Sequence, residues 1–236
     1  TDVTIKQNLS LSGGKLYVNQ HTLTCEKNVT INSGYLYGDN ANDVIQVGGS
    51  WLNSSGSANF IEGSGLVKFI SSISAKRIES NESFYNLHVA TDAEFVYVSA
   101  GVALTVGGNL EILSGKLRPL DGTVLNVTGN LMITGQNSRF DQNFRRETAN
   151  TQVHVYGNCI INGGKFYSLD TNGNLPDDIL TIDGELNMTG GELNTLDLNM
   201  TVHGNFSTTT ASYLMTRGAS FINDAPYTGA WQYVNC

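Results

Sequence analysis

The stretch LTVGGNLEILSGKL, Leu104 to Leu117, decides the fold. Apolar and polar residues alternate on both sides of a Gly-Asn pair. That is the period of a strand with one side inward and the other outward. A second glycine, Gly115, opens another turn before Lys116 and Leu117. The unit therefore reads as strand, Asn corner, strand, Gly corner, strand. It recurs as LNVTGNLMITG from Leu125, VHVYGNCIINGGKF from Val153, LTIDGELNMTGGEL from Leu180 and MTVHGNF from Met200. Two earlier copies, VTIKQNLSLSGGKL from Val3 and LTCEKNVTINSGYL from Leu23, keep the apolar spacing but carry Gln7 and Lys27 in place of the corner glycine.

Copies that resemble one another at whole-unit spacing stack like on like in a solenoid, whereas antiparallel hairpins would not align them. The expectation is an all-β, single-domain parallel β-solenoid spanning 1–236, with about ten coils of roughly 20–28 residues and three short strands in each. Its marker residues, one per coil, are Ile5, Cys25, Val47, Phe69, Val89, Val106, Val127, Val155, Ile182 and Val202, and a final partial coil falls in 213–236. Expected inward columns are Leu9, Val29, Leu110, Leu131, Cys159, Leu186 and Phe206, and beside them Leu16, Leu36, Leu117, Phe166 and Leu193. The corner column Asn8, Asn28, Asn109, Asn130, Asn158 and Asn205 reads as structural, since Asn tolerates tight corners and stacked amides can bond along the axis. The glycines Gly14, Gly34, Gly115, Gly164 and Gly191 read as positive-φ positions.

Composition narrows the function classes. Charged residues are 14% of the 236, and 26 are glycine, which suits stacked strands and turns with polar, uncharged surfaces. A net charge of −8 with 13 scattered Lys and Arg offers no basic stripe for nucleic acid or an anionic membrane. No apolar run reaches the roughly 20 residues of a membrane span. A start at Thr1 is what a mature secreted chain shows after signal removal. The four histidines, His21, His88, His154 and His203, fall in different coils without metal-ligand spacing.

Two coils carry extensions, near 141–151 and 168–178, expected to leave from one corner of adjacent coils and form a lateral protrusion. The first holds Arg139, Asp141, Arg145, Arg146 and Glu147, read as mutually paired in preference to an acidic-partner site. The second offers oxygen ligands, Asp170, Asn172, Asn174, Asp177 and Asp178, in the manner of a calcium loop, although without the glycine and glutamate positions of an EF-hand. A plain surface turn is the preferred reading there, and no cofactor is assigned. Outward tyrosines Tyr17, Tyr37 and Tyr167 offer aromatic faces to sugar, but not in adjacent coils throughout, so no continuous platform is expected. Cys25 and Cys159 read as inward thiols about six coils apart, beyond disulfide reach. The terminal Cys236 is a candidate for an intermolecular disulfide with Cys25 of a head-to-tail neighbour.

FYNLHV, Phe84 to Val89, followed by units of the LTVGGNLEILSGKL type, resembles the repeats of long extracellular surface proteins and adhesins of Bacteroidetes-like bacteria. The resemblance implies a β-solenoid outside the cell or at its surface and implies no catalytic residues. Gln7 and Lys27 depart from it. The functional expectation is an extracellular structural subunit that stacks through uncapped ends into a filament. A carbohydrate-binding adhesin module, with surface polysaccharide as its partner, is the alternative. A polysaccharide lyase or hydrolase is the least favoured, with Asp170, Asp177, Asp178 and Arg145 as the one nearby group to serve it.

Overall fold

The computed structural model describes residues 1–71, 74–142, 149–168, 178–195 and 198–209, and beyond them the backbone of strands Ser212–Met215, Phe221–Asn223 and Tyr227–Gly229. All strand pairs among these residues are parallel, with a register shift between Val89 and Phe95 where Asn86–Val98 meets Leu110–Pro119, and they build a three-faced β-solenoid. The first face begins with Val3–Ile5 on Thr22–Cys25, then Val44–Val47, Leu66–Ile70 and the start of Asn86–Val98. It continues through Leu110, Leu131–Ile133, Cys159–Ile161, Leu186–Met188 and Phe206–Thr208 to Tyr227–Gly229. The second face runs from Leu9–Leu11 to Ser212–Met215. The third is divided into a three-stranded and a seven-stranded sheet. Two long strands, Asn86–Val98 and Leu110–Pro119, bend round the corner between the first two faces.

Alternation sends one side chain in two to a single axial core, which runs from Leu9 to Phe206. On the first face Leu23, Ile45, Val67, Leu87, Leu110, Leu131, Cys159, Leu186 and Phe206 are all buried. A single coil cannot bury such a stripe alone, so each coil is stabilised by its neighbours at roughly 1.5–3 kcal/mol for each fully buried large aliphatic side chain.

The motif does not keep one face throughout. In the first four coils its opening strand lies on the first face, with Ile5 beside Cys25, Cys25 beside Val47 and Val47 beside Phe69. From Phe84 onward the opening strand lies on the third face: Phe84 pairs Val106, Val106 pairs Val127, Val127 pairs Val155 and Val155 pairs Ile182. Val89 pairs Ile112 instead. The marker of the coil preceding Val106 is therefore Phe84 and not Val89. The cause is a copy one strand short: after Leu66–Ile70 and Lys76–Ile78 the next copy opens at Glu82–Phe84, with no third strand between. Each expected column is consequently two columns. Leu16, Leu36 and Phe60 stack on the third face, and Leu117, Phe140, Phe166 and Leu193 on the second.

At the break in the third face, no strand pairing links Phe60–Ile61 to Glu82–Phe84 among the described residues. Side chains close the gap. Trp51, Phe60 and Phe84 meet edge to face, with ring centroids 4.9 to 5.9 Å apart. Glu82 Oε2 accepts the indole N–H of Trp51 at 2.7 Å and the amide of Asn53 at 3.0 Å, so both inward polar groups find one acceptor. At the rim, Ser83 Oγ donates to Glu62 Oε1 at 2.8 Å.

The Asn corners follow the same division. Asn28 donates its backbone N–H to Asn8 Oδ1, and Ser50 donates to Asn28 Oδ1, at the corner between the first and second faces. A second run lies between the third and first faces, where Asn109, Asn130, Asn158 and Glu185 each donate a backbone N–H to the Oδ1 of Asn86, Asn109, Asn130 and Asn158. At these corners the backbone N–H of one coil thus donates to the amide oxygen of its neighbour, and Asn205 Nδ2 donates to Glu185 Oε1, side chain to side chain. Among the Gly-corner glycines, Gly14, Gly115 and Gly191 have positive φ. Gly164 does not need it: a Cβ there would lie 2.3 Å from Ser138 Oγ, so close approach of coils explains the glycine.

Candidate functional site

The second face carries the most distinctive surface. Its strands alternate, so the residues flanking inward Val96, Leu117, Phe140 and Phe166 share the outer side. Those flanking residues are Phe95 and Tyr97, Lys116 and Arg118, Arg139 and Asp141, Lys165 and Tyr167, on four successive coils. Arg77 adds a fifth, paired with Tyr97. Parallel register makes two rows along the axis. One holds Phe95, Lys116, Arg139, Lys165 and Glu192; the other holds Arg77, Tyr97 and Arg118, then Asp141 and Tyr167.

Rings and cations interleave within these rows. Phe95 and Tyr97 stack with centroids 5.2 Å apart at 14°. Arg118 lies 4.3 Å and Lys116 4.5 Å from the Phe95 centroid, and Arg77 lies 5.2 Å from that of Tyr97. Arg139 covers Tyr167 at 4.2 Å. Each cation sits over a ring at a distance where the ring quadrupole attracts it. Beneath them Asp141 is completely buried and accepts from Arg118 Nε at 3.2 Å and Nη2 at 2.5 Å, and from Arg139 Nε. A carboxylate at that depth fixes both guanidinium planes. Lys165 Nζ lies 3.1 Å from Glu192 Oε2 and 3.3 Å from the Tyr167 hydroxyl, and the Glu192 bond raises its pKa. Partial burial raises that of Tyr167, aided by Glu192.

A groove of about 310 Å³ opens on these strands, lined by Ala93, Lys116, Gln136, Asn137, Ser138, Arg139, Lys165 and Tyr167. Three cations, one ring and the polar side chains of Gln136 and Asn137 converge there, Ser138 being buried with its Oγ bonded to Gly135, and no carboxylate is in the lining. That chemistry suits hydroxyl-rich ligands, which take hydrogen bonds at their edges and an aromatic ring against their C–H faces.

Other residues singled out from the sequence lie elsewhere. Tyr17 and Tyr37 stack at 4.3 Å, but on the third face of the first two coils, separated from Tyr167 by the change of face. The two extensions do leave from one corner of adjacent coils, since Gln142 pairs with Ser168 at their roots. Arg145, Arg146 and Glu147 of the first lie outside the described residues. So do Asp170, Asn172, Asn174 and Asp177 of the calcium-like group, and Cys236. Asp178 is buried and its Oδ1 accepts the Thr151 N–H at 2.8 Å, so one of its oxygens serves the corner itself. Among the described residues no three acidic, His or Cys side chains gather as a metal site.

The histidines point outward against carboxylates, His154 at 3.0 Å from Asp183 and His88 at 3.4 Å from Glu111. Cys25 is buried with its Sγ against the carbonyls of Gln7 and Asn28, both at 3.3 Å, and a disulfide to another chain would require it to leave the core. Burial pushes the Cys159 thiol up to about 12, which keeps it unreactive. No described helix is long and apolar enough to cross a membrane.

Sequence reasoning missed Arg77, Phe95, Tyr97, Lys116 and Arg118. The signal was present in FVYV, KLRP, SRFD and KFYS: in each, the two residues at alternate positions are charged or aromatic. Comparison with protein-family models, with curated proteins and with solved structures finds no match, so the functional reading rests on these residues.

Proposed function

We propose that the protein is an extracellular, surface-associated solenoid that binds carbohydrate as an adhesive module, with the second face as its contact surface. The observation that carries this reading is the interleaving of Phe95, Tyr97 and Tyr167 with cations in rows along the axis. Aromatic side chains held rigid by packing offer contact area at low entropic cost, and stacked strands make such a surface repeat at about 4.8 Å. Retention on immobilised polysaccharides, with the eluted sugar checked for cleavage, tests it. The expected result is binding without turnover, lost in Tyr97→Ala/Tyr167→Ala and kept in Tyr17→Ala on the other face. Release of shortened or unsaturated sugar would instead favour the lyase or hydrolase class.

Stacking of copies head to tail into a filament is the second reading. It is supported by the first coil, where Val3 is 52% exposed and Ile5, Leu11 and Leu16 are only partly buried, although their counterparts in later coils are enclosed. Among the described residues, strands of that coil pair on one side. A strand added there, whether from chain preceding this sequence or from another copy, would bury these side chains. Negative-stain microscopy distinguishes filaments from separate particles.

A further inference from the structure

The carbohydrate reading leaves the class of sugar open, and charge decides between classes. The chain has a net charge of −8, so an acidic polymer is repelled by most of its surface. The groove on the second face is the exception, since no carboxylate lines it. Lys116, Arg118, Arg139 and Lys165 gather on that face with Asp141 and Glu192, and Asp92 and Glu94 flank Ala93 at one side of the groove. Asp141 lies beneath the two guanidinium groups, and Glu192 meets Lys165 from the next coil. The groove itself is lined by Lys116, Arg139 and Lys165 with Tyr167, Gln136 and Asn137.

These three cations are in direct register on consecutive coils. They therefore recur every 4.8 Å or so along the axis, close enough for neighbouring cations to act on a single anionic group or on adjacent groups of an extended chain. A bare anion would use the cations and leave Tyr167 idle. A saccharide uses both, with its ring against the part of Tyr167 that lines the groove and its hydroxyls toward Gln136 and Asn137.

We propose that the groove over Lys116, Arg139, Lys165 and Tyr167 binds an acidic polysaccharide, its carboxylate or sulfate groups on the cations and its sugar ring on the tyrosine. This rests on the carbohydrate reading above and adds the requirement for negative charge.

Isothermal titration calorimetry on the full chain tests it with four probes: polygalacturonate, its methyl-esterified form, a sulfated dextran and polyphosphate. The expected result is binding of the carboxylated or the sulfated polymer, weakened by added salt, and at least about tenfold weaker for Lys116→Gln/Lys165→Gln. Lys15→Gln, on the third face, leaves it unchanged. Whichever of the two acidic polymers binds more tightly names the anionic group. Methyl-esterified polymer bound as tightly as the acid form, with the double variant unaffected, would overturn the charge requirement and leave carbohydrate binding standing. Absence of binding to all the saccharides would overturn both. Polyphosphate bound as tightly as the sugars would also overturn the proposal, since the ring would then contribute nothing. Lys165 is exposed and Lys116 partly so, and the esterified control reads charge dependence on the unaltered protein, so the outcome does not hinge on one variant.

Discussion

Glu82 shows how much a single residue carries where the repeat falters. It is 3% exposed, and burial lifts its carboxyl from 4.5 to about 7 even though bonds from Trp51, Asn53 and Ser83 favour the anion. Between those two values the folded chain holds a proton that the unfolded chain has released. This contribution to stability is therefore fully present below pH 4.5 and is lost as pH rises through about 7. The span corresponds to roughly 3 kcal/mol at most. Urea midpoints measured from about pH 5 to about pH 8 should fall for the native chain, and this part of the slope should vanish in Glu82→Gln. Parallel pH profiles for the two proteins would contradict the assignment. Trp51 and Asn53 gave a hint of this arrangement in the sequence, since an inward indole and an inward amide both need a partner. Which carboxylate supplies it depends on a coil some 30 residues away and on the loss of one strand, neither of which the residues themselves declare.

Among the elements, the second-face strands were legible as strands but not as a surface. Alternation in KLRP, SRFD and KFYS identifies Leu117, Phe140 and Phe166 as inward, and the structure buries all three. It does not say which strands lie side by side, because short turn-driven copies permit more than one register. Pairing, once known, brings Arg118 of one strand to Asp141 of the next, and the expected mutual pairing of Arg139 with Asp141 is joined by a partner from another coil. Asp141 is fully buried under both guanidinium groups, so Asp141→Ala leaves two cations without their shared acceptor. The expected loss is about 3 kcal/mol, read as a lower urea midpoint. Restoring apolar packing with Asp141→Leu in Arg118→Met/Arg139→Met should recover much of that stability, because the cost lies in the unpaired charge.

At the scale of the whole molecule, the parallel stack was readable from the repeat, and its rotation was not. Every copy looks alike, and the missing third strand between Ile78 and Glu82 looks like ordinary degeneracy. Its effect is nonetheless global: the aromatic and basic residues of the later coils occupy the second face, while Tyr17 and Tyr37 remain on the third. Coils stack through backbone pairing that is indifferent to motif phase, so the core tolerates the change as long as every inward slot stays apolar.

Paired cysteines read that rotation directly. In the structure His88 lies opposite Glu111 on the first face, whereas Thr105 belongs to the third face and pairs with Ser83. A motif that kept one face would instead place His88 beside Thr105. With Cys236 replaced by serine, the account predicts that His88→Cys/Glu111→Cys forms an intramolecular disulfide on mild oxidation and that His88→Cys/Thr105→Cys does not. Efficient closure of the second pair and none of the first would contradict the rotated solenoid, and with it the surface assembled on its second face.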